Sequence, residues 1–281
     1  MKPAPFAYRR PRTLQEALTV LAGEPDAKVL AGGQSLVPLL SMRLAAPAAL
    51  VDINAVADLD HVVVTGDGVR VGALARHADV LAHEGATHAQ PLLAMALSHV
   101  AHATIRNRGT TVGSIVHADA AAEMPVVLAL LGGSVEAASV RGTRTIAATD
   151  LFVGPLESTL AQDEIATEAF FPALRPGEGV GFAEIARRHG DYALVGVAGL
   201  ARVEGGDVVD ARLGYLSVND VPTVVDVTGI DPDDVPDHVL TVLEPAADIH
   251  ATAAYRAQLV RVLTRRVLAD ATDHALGRAD A

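Results

Sequence analysis

The stretch Ala31-Gly32-Gly33-Gln34-Ser35-Leu36 follows a short apolar run and leads into a predicted helix. A second turn of the same kind, Thr110-Thr111-Val112-Gly113-Ser114, occurs later in the chain. Because glycine has no Cβ, both turns can bend sharply, approach a ligand closely and direct backbone N–H groups at an anion. Two such turns in one chain predict a single phosphate-rich ligand held from both sides, and a dinucleotide is the best candidate.

The turns do not belong to the common nucleotide-binding motifs. The sequence contains neither Gly-x-Gly-x-x-Gly nor a Walker A motif, so a nicotinamide or ATP site of the usual kind is not expected. The first turn alone is equally well explained by tight packing between a strand and a helix, and the second turn alone is a weaker signal. Their occurrence together, each beside a predicted helix start, favours a phosphate-binding role.

The composition excludes several classes of function. With 22 basic and 34 acidic residues the net charge is −12, and no basic run is present, so nucleic acid and anionic membrane surfaces are not expected partners. The chain has no cysteine, which excludes disulfides, thiolate zinc sites and iron–sulfur clusters held by this chain. No apolar run approaches roughly 18 residues, the length of a membrane span. A cytoplasmic location is expected.

The apolar patterning predicts a mixture of helices and strands. Residues 28–31 and 50–53 read as strands around a helix over 36–44, which makes a small βαβ-like unit. A hairpin with Asp-Gly in its turn follows over 62–72. The last predicted element is an amphipathic helix over 253–271.

Three polar segments are candidate site elements. Residues 99–109 and 117–125 contain several histidines, but their spacing is generic and predicts no metal site. Asp119 and Glu123 fit two roles equally well: acceptors for ribose hydroxyls, or caps of the following helix. The segment Arg187–Ala193 is either the edge of a site or a charged turn.

Three segments, in this order along the chain, resemble the FAD-binding medium subunits of molybdenum hydroxylases. They are Ala31–Ser35 (AGGQS), Ile105–Ser114 (IRNRGTTVGS) and Ala186–Ala193 (ARRHGDYA). Aerobic carbon monoxide dehydrogenase belongs to this family, and the flavin domain of xanthine dehydrogenase is a relative. The opening Phe6–Pro11 and the closing helix also fit, so the similarity spans essentially the whole chain.

The resemblance implies an α+β fold. An FAD-binding fold of two α/β lobes, of the PCMH or VAO type, would cover residues 1–174, with one lobe in about 1–56 and the other in about 57–174. A smaller C-terminal α/β domain, a three-stranded sheet with helices, would cover residues 175–281.

The resemblance also implies a cofactor site, carried over position by position. The residues at the pyrophosphate would be Gly32, Gly33, Gln34 and Ser35 between Ala31 and Leu36, and Thr110, Thr111, Gly113 and Ser114 from the second lobe. The remaining contacts would be Ala101 in the flavin pocket, Glu123 or Asp119 on the adenosine side, Ile165 at the adenine or ribose, and Glu184 and Tyr192 near the isoalloxazine ring. Tyr192 would shield the ring on the side of the iron–sulfur partner. No catalytic residue and no metal ligand are implied on this chain.

Two positions depart from the family pattern. The family usually has a second glycine after Gly113, where this chain has Ser114. The extra Cβ predicts a less close approach to the phosphates and weaker FAD binding. Glu184 stands where some members have lysine, and a carboxylate there disfavours an anionic reduced flavin and can change which electron acceptor reacts.

The function implied is electron transfer by an oxidoreductase subunit. A large molybdenum subunit would hydroxylate a small substrate, and a small subunit with 2Fe–2S clusters would pass the electrons to FAD on this chain. The FAD would then reduce NAD, a quinone or oxygen. A dimer of heterotrimers is expected, with the molybdenum cofactor and the clusters only on the partner subunits.

Two other functions remain open at this stage. A stand-alone FAD-dependent oxidoreductase would need a catalytic base and a roomy pocket over the flavin, and no extra substrate domain is evident in the sequence. A flavin-free structural subunit would result if the altered second turn no longer binds FAD. Such a chain would purify colourless and would not retain added FAD.

Overall fold

The computed structural model describes residues 2–279. Its first three strands form a parallel sheet. Its strands are β1 (Ala7–Arg9), β2 (Ala27–Leu30) and β3 (Ala49–Asp52), in the order β1-β3-β2. The helices between them are α1 (Leu14–Gly23) and α2 (Leu36–Met42). The predicted βαβ unit is therefore confirmed, with β2 leading directly into the first glycine turn.

A five-stranded antiparallel sheet follows. The elements of this part of the chain are β4 (Val62–Val64), β5 (Gly68–Gly72), α3 (His77–Ala82), α4 (Glu84–Ala89), α5 (Pro91–Leu97), α6 (Ala103–Arg106), α7 (Thr111–His117), α8 (Glu123–Leu131), β6 (Ser134–Ser139), β7 (Gly142–Ala147), α9 (Ala148–Leu151), β8 (Phe152–Gly154), β9 (Glu157–Ser158) and β10 (Ile165–Pro172). The sheet order is β4-β5-β10-β6-β7, and β8 pairs with β9 in a separate small hairpin. The predicted hairpin of β4 and β5 is confirmed.

A second antiparallel sheet forms the C-terminal part. It contains β11 (Glu178–Ala186), β12 (Ala193–Glu204), β13 (Asp207–Leu216) and β14 (Thr223–Asp226), in that order. The expected three-stranded sheet is wrong by one strand. The sequence hides β14 because it is a four-residue edge strand that directly follows Pro222, so its apolar pattern is too short to identify.

The C-terminal helices complete the chain. They are α10 (Val235–His238), a 3-10 turn over Val239–Thr241, and the long α11 (Ala253–Ala279), which packs on β11 and β12. No helix within residues 2–279 is both long enough and apolar enough to cross a membrane.

The hydrophobic core joins the two antiparallel sheets. Leu93 on α5 and Phe171 on β10 are fully buried in the same cluster as Val180 and Leu200 of the C-terminal sheet. A separate cluster under the parallel sheet includes Ile165 at the start of β10. The C-terminal sheet is thus packed firmly against the five-stranded sheet and its helices, which fixes the position of the β11–β12 loop.

Glycines allow α11 to lie directly on β11. A Cβ placed on Gly179 would lie 2.1 Å from the Ala275 nitrogen and 2.4 Å from the Ala271 carbonyl oxygen. Real side chains do not approach a backbone so closely, so the helix can contact the strand only where the strand has no side chain.

The substitution Gly179→Ala is expected to lower the free energy of unfolding by about 1–3 kcal/mol, because the helix must move away from the strand. Thermal or urea unfolding of the full chain measures this. Gly23→Ala is the matched control, since a Cβ at Gly23 meets no atom within 4 Å. Equal stability of the two variants would contradict the proposed contact.

Candidate functional site

The first glycine turn connects β2 to α2. Gly33 has a φ of 73°, in the left-handed region that glycine adopts without strain. Within residues 2–279, the backbone N–H groups of residues 32–35 donate no hydrogen bond to a protein acceptor. Since buried or ligand-facing amides need acceptors, this run of free donors is suited to an anion.

The second glycine turn leads into α7. The Thr110 hydroxyl accepts a hydrogen bond from the Gly113 N–H at 3.1 Å and so caps the helix. A Cβ on Gly113 would lie 2.5 Å from that hydroxyl oxygen. A side chain at this position would therefore have to displace the Thr110 hydroxyl from its present capping position.

The two turns touch each other. A Cβ on Gly32 would lie 2.4 Å from the Arg108 carbonyl oxygen and 2.7 Å from the Gly109 Cα. Only glycine at position 32 permits this approach. The sequence prediction that both turns face one ligand is consistent with this contact, because it places them side by side.

A chain of hydrogen bonds fixes the spacing of the turns. The Asn54 side-chain amide donates to the Ala31 carbonyl at 2.8 Å, and its oxygen accepts from Arg76 at 2.7 Å. The other terminal nitrogen of Arg76 donates to the Arg108 carbonyl at 2.8 Å. We call Asn54 and Arg76 the turn clamp. Sequence reasoning missed both residues because their partners are far away along the chain.

His77 holds the second turn in place through its backbone and its ring. Its backbone N–H donates to the Gly109 carbonyl at 3.0 Å, and its ring Nδ1 lies 3.2 Å from the Thr111 hydroxyl. Burial, aided by the positive charge of Arg106, lowers the pKa of His77 to about 4. The ring is therefore neutral at physiological pH and can hold a hydrogen bond without a charge.

A cavity of about 870 Å³ extends from the two turns. Its volume is at the upper end of the range of about 300–1,000 Å³ that is usual for small-molecule sites. Fourteen of the predicted site residues line it: Ala31, Gly32, Gly33, Gln34, Ser35, Leu36, Ala101, Thr110, Gly113, Ser114, Asp119, Glu123, Ile165 and Tyr192.

Two predicted residues do not line the cavity. Thr111 is fully buried and directed at His77, and Glu184 lies behind the wall, with its side chain only 4% exposed. Conversely, Lys28 lines the cavity and was not predicted. A signal for it existed, since Lys28 is one of two lysines in the chain and stands three residues before the first turn.

The β11–β12 loop brings Tyr192 to the cavity. A Cβ on Gly190 would lie 2.8 Å from the Ala101 carbonyl oxygen, so the loop packs directly on the backbone at Ala101. Ala101 has a φ of 42°, and Arg106 holds its carbonyl by a hydrogen bond of 3.1 Å. Tyr192 remains 64% exposed at the cavity mouth.

Acidic side chains gather at one part of the cavity. Burial, together with the negative charge of Glu184, raises the pKa of Glu123 to about 8, and Asp119 adds to this effect. Asp119 and Glu123 are also the charged neighbours of Tyr192. Glu123 and Glu184, which sequence reasoning placed at different ends of the ligand, are therefore electrostatic neighbours.

The residues present fit FAD. The first turn offers consecutive unpaired amides for a pyrophosphate, Lys28 adds a positive charge to the same cavity, and the walls combine apolar and polar side chains. Tyr192 supplies an exposed aromatic ring suited to cover a planar heterocycle.

Comparisons with known proteins support this reading. Residues 4–174 match the family described as FAD binding domain in molybdopterin dehydrogenase. The chain is 40% identical over 282 residues to the nicotine 6-hydroxylase medium subunit of Paenarthrobacter nicotinovorans, covering 96% of this chain and 99% of that subunit. It is 29% identical over 282 residues to the carbon monoxide dehydrogenase medium chain of Afipia carboxidovorans, covering 95% and 97%. The structure of quinoline 2-oxidoreductase from Pseudomonas putida 86 matches with a TM-score of 0.91 and 36% identity, over 99% of this chain and 100% of that chain.

The chain belongs to this family of FAD-binding domains of molybdopterin dehydrogenases. It is the FAD-binding subunit of an oxidoreductase of the molybdenum hydroxylase class, and FAD is its cofactor. The resemblance read from the three sequence segments is thereby confirmed.

The turn clamp can be tested by a double-mutant cycle. Asn54→Ala and Arg76→Leu are expected to couple by about 0.5–3 kcal/mol in the free energy of unfolding, since they share one hydrogen bond. Asn54→Ala combined with Arg202→Leu, on a distant strand, should be additive within about 0.5 kcal/mol. Additivity in the first pair would rule out a clamp.

Glu123 makes stability depend on pH. The folded chain keeps this proton up to about pH 8, whereas an unfolded glutamic acid loses it near pH 4.5. The folded state therefore binds more protons in that window, and stability falls as pH rises through it. Thermal unfolding between pH 5 and 9 is expected to show a shallower loss for Glu123→Gln than for the wild type. Glu204→Gln, an exposed control, should follow the wild-type curve.

Proposed function

We propose that this chain binds FAD between its two glycine turns and the β11–β12 loop, and that it carries electrons from iron–sulfur clusters on a partner subunit to an external acceptor. The direct contact between the two turns is the observation that supports this most strongly, because it gathers the anion-binding groups into one site. Bound FAD supplies two-electron redox chemistry.

The glycine turns are proposed to hold the pyrophosphate. The unpaired amides of residues 32–35 would donate to phosphate oxygens, and the Thr110 hydroxyl at the start of α7, which accepts from Gly113 and keeps its own proton, would add a donor from the other side. Ser114 lines the same cavity, so its hydroxyl can donate to the ligand where the family usually has glycine. Thr111 is proposed to position the turn through His77 rather than to contact the cofactor.

The acidic residues and Tyr192 are proposed to surround the isoalloxazine end. Glu123, Asp119 and Tyr192 lie together, so we assign Glu123 to this end rather than to the adenosine side. Ile165 and Ala101 would provide apolar contacts elsewhere along the ligand. With a raised pKa, Glu123 carries a proton that it can share with a hydrogen-bond acceptor on the flavin.

The assembly is proposed to contain a small iron–sulfur subunit and a large molybdenum subunit, as a dimer of heterotrimers. Several relatives are named as subunits of larger enzymes, which supports a complex of this kind. The chain has no cysteine, so clusters must be supplied by another subunit. The acceptor is proposed to be NAD, a quinone or oxygen.

The division into domains is also a proposal. We place the FAD-binding domain in residues 1–174, with the lobe boundary near residue 56, and the C-terminal domain in residues 175–281. The parallel sheet, the five-stranded sheet and the C-terminal sheet each lie within one of these segments, which supports the boundaries.

Gly32→Ala is expected to weaken FAD binding by about 5- to 100-fold, because steric strain of about 1–3 kcal/mol must separate the turns. The visible absorption spectrum of the purified chain, before and after incubation with FAD and removal of the excess, gives the bound fraction. Calorimetric titration of the apoprotein gives the Kd.

Gly66→Ala is the control, since a Cβ there meets no atom within 4 Å. A wild-type chain that retains no flavin would instead indicate a structural subunit. Reduction of the bound FAD by an organic substrate without partner subunits would indicate a stand-alone oxidoreductase.

A further inference from the structure

His99, Glu184 and Glu123 are three titratable side chains at or beside the cavity, and each interacts with the next. His99, whose side chain is 34% exposed, lies with its Nδ1 3.4 Å from the Glu184 Oε1. The Glu184 side chain is only 4% exposed. Glu123 is 8% exposed and lines the cavity. Glu184 thus interacts both with a partly exposed histidine and with the cavity-lining Glu123.

In the described part of the chain, one carboxylate oxygen of Glu184 has no hydrogen-bond partner, which a purely structural ion pair does not require. Its Oε2 is buried and has no hydrogen-bond partner among the residues that the structure describes. A buried carboxylate oxygen without a donor is costly, and such groups in native proteins usually have a functional reason. The free oxygen can accept a proton from one neighbour and deliver it to another.

The surroundings retain protons at Glu123. The charges that act on this carboxyl are those of Glu184 on β11 and Asp119 before α8, and both are negative. Tyr192 on the β11–β12 loop is its other titratable neighbour. No positive group offsets them in this set, and burial disfavours a second charge. Two carboxyl groups in such a position share one proton more readily than they ionise together.

We propose that His99, Glu184 and Glu123 form a proton path between solvent and the bound FAD, and that Glu123 delivers the proton which the flavin takes up on reduction. This inference rests on the proposed function of the chain, since it requires FAD in the cavity. It assigns Glu123 as the proton donor and Glu184 and His99 as relay residues.

The proton transfer balances the electron transfer. The flavin gains two electrons from reduced iron–sulfur clusters of the partner subunit and one proton from neutral Glu123, which becomes a carboxylate. His99 takes a proton from solvent and passes it to the Glu184 carboxylate, which passes it on to Glu123, so that each relay residue returns to its starting state. When the external acceptor removes the two electrons, the flavin proton leaves by the reverse route.

Time-resolved infrared spectroscopy of the FAD-loaded full chain tests the path. After rapid reduction of the flavin at pH 7, the wild type is expected to show a transient loss of a protonated-carboxyl signal, followed by its recovery. Glu123→Gln should abolish the transient loss. Glu184→Gln and His99→Gln should keep the loss but slow the recovery by at least about tenfold, the lower range of proton-transfer contributions.

Glu178→Gln is the matched control, because Glu178 is a buried carboxylate on the same strand as Glu184, paired with Arg175 away from the cavity. It should show the wild-type loss and recovery. If Glu123→Gln does not retain FAD, the two relay variants, which leave Glu123 intact, decide the question.

The possible failures are distinguishable. A wild-type chain without bound FAD would overturn the proposed function and the path together. Bound FAD with no transient carboxyl signal in the wild type, or with equally fast recovery in Glu184→Gln, would overturn the path alone.

Discussion

The direct contact between the two glycine turns is the constraint on which the proposed cofactor site depends. Gly32 lies against the backbone of Arg108 and Gly109, at a distance that no side chain at position 32 would permit. The first turn follows a strand of the parallel sheet and the second lies between strands of the five-stranded sheet, so this contact also constrains how the two sheets meet. Asn54 and Arg76 hold the contact with hydrogen bonds to a carbonyl of each turn. Both turns line one cavity, and their contact is what brings them together there.

Two kinds of polar group occur at the cavity: donors that suit a phosphate, and buried carboxyl groups. The glycine turns provide uncharged N–H donors, and Lys28 adds a positive charge to the same cavity. Both kinds of group suit a phosphate. Glu123 and Glu184 lie together elsewhere and are withdrawn from solvent. Most of the chain's acidic residues need no such environment, because they are exposed or paired with arginine. Burial of two carboxyl groups beside each other reduces stability at high pH, and this penalty is understandable where a proton has to be held for a redox cofactor.

The C-terminal sheet acts on the site through packing. Its strands share a hydrophobic core with the second lobe, and α11 holds the far side of the sheet through contacts that require glycine at position 179. This arrangement presents Gly190, Asp191 and Tyr192 of the β11–β12 loop to a cavity whose other lining residues belong to the first 174 residues. The proposed cofactor site therefore takes residues from all three sheets or from their connecting loops. In the sequence, the glycine turns are the feature that identifies it.

The sequence by itself determined the parts that depend on local chemistry. Glycine turns beside helix starts, the Asp-Gly hairpin and the order of strands and helices follow from backbone preferences within a few residues, and fourteen of the predicted site residues do line one cavity. Tertiary structure decided the rest. The edge strand β14 is defined by its pairing with β13, and Thr111 turns away from the cavity because His77 binds it. Asn54, Arg76 and the Glu123–Glu184 pair act on partners distant in sequence, so only the folded chain brings them together.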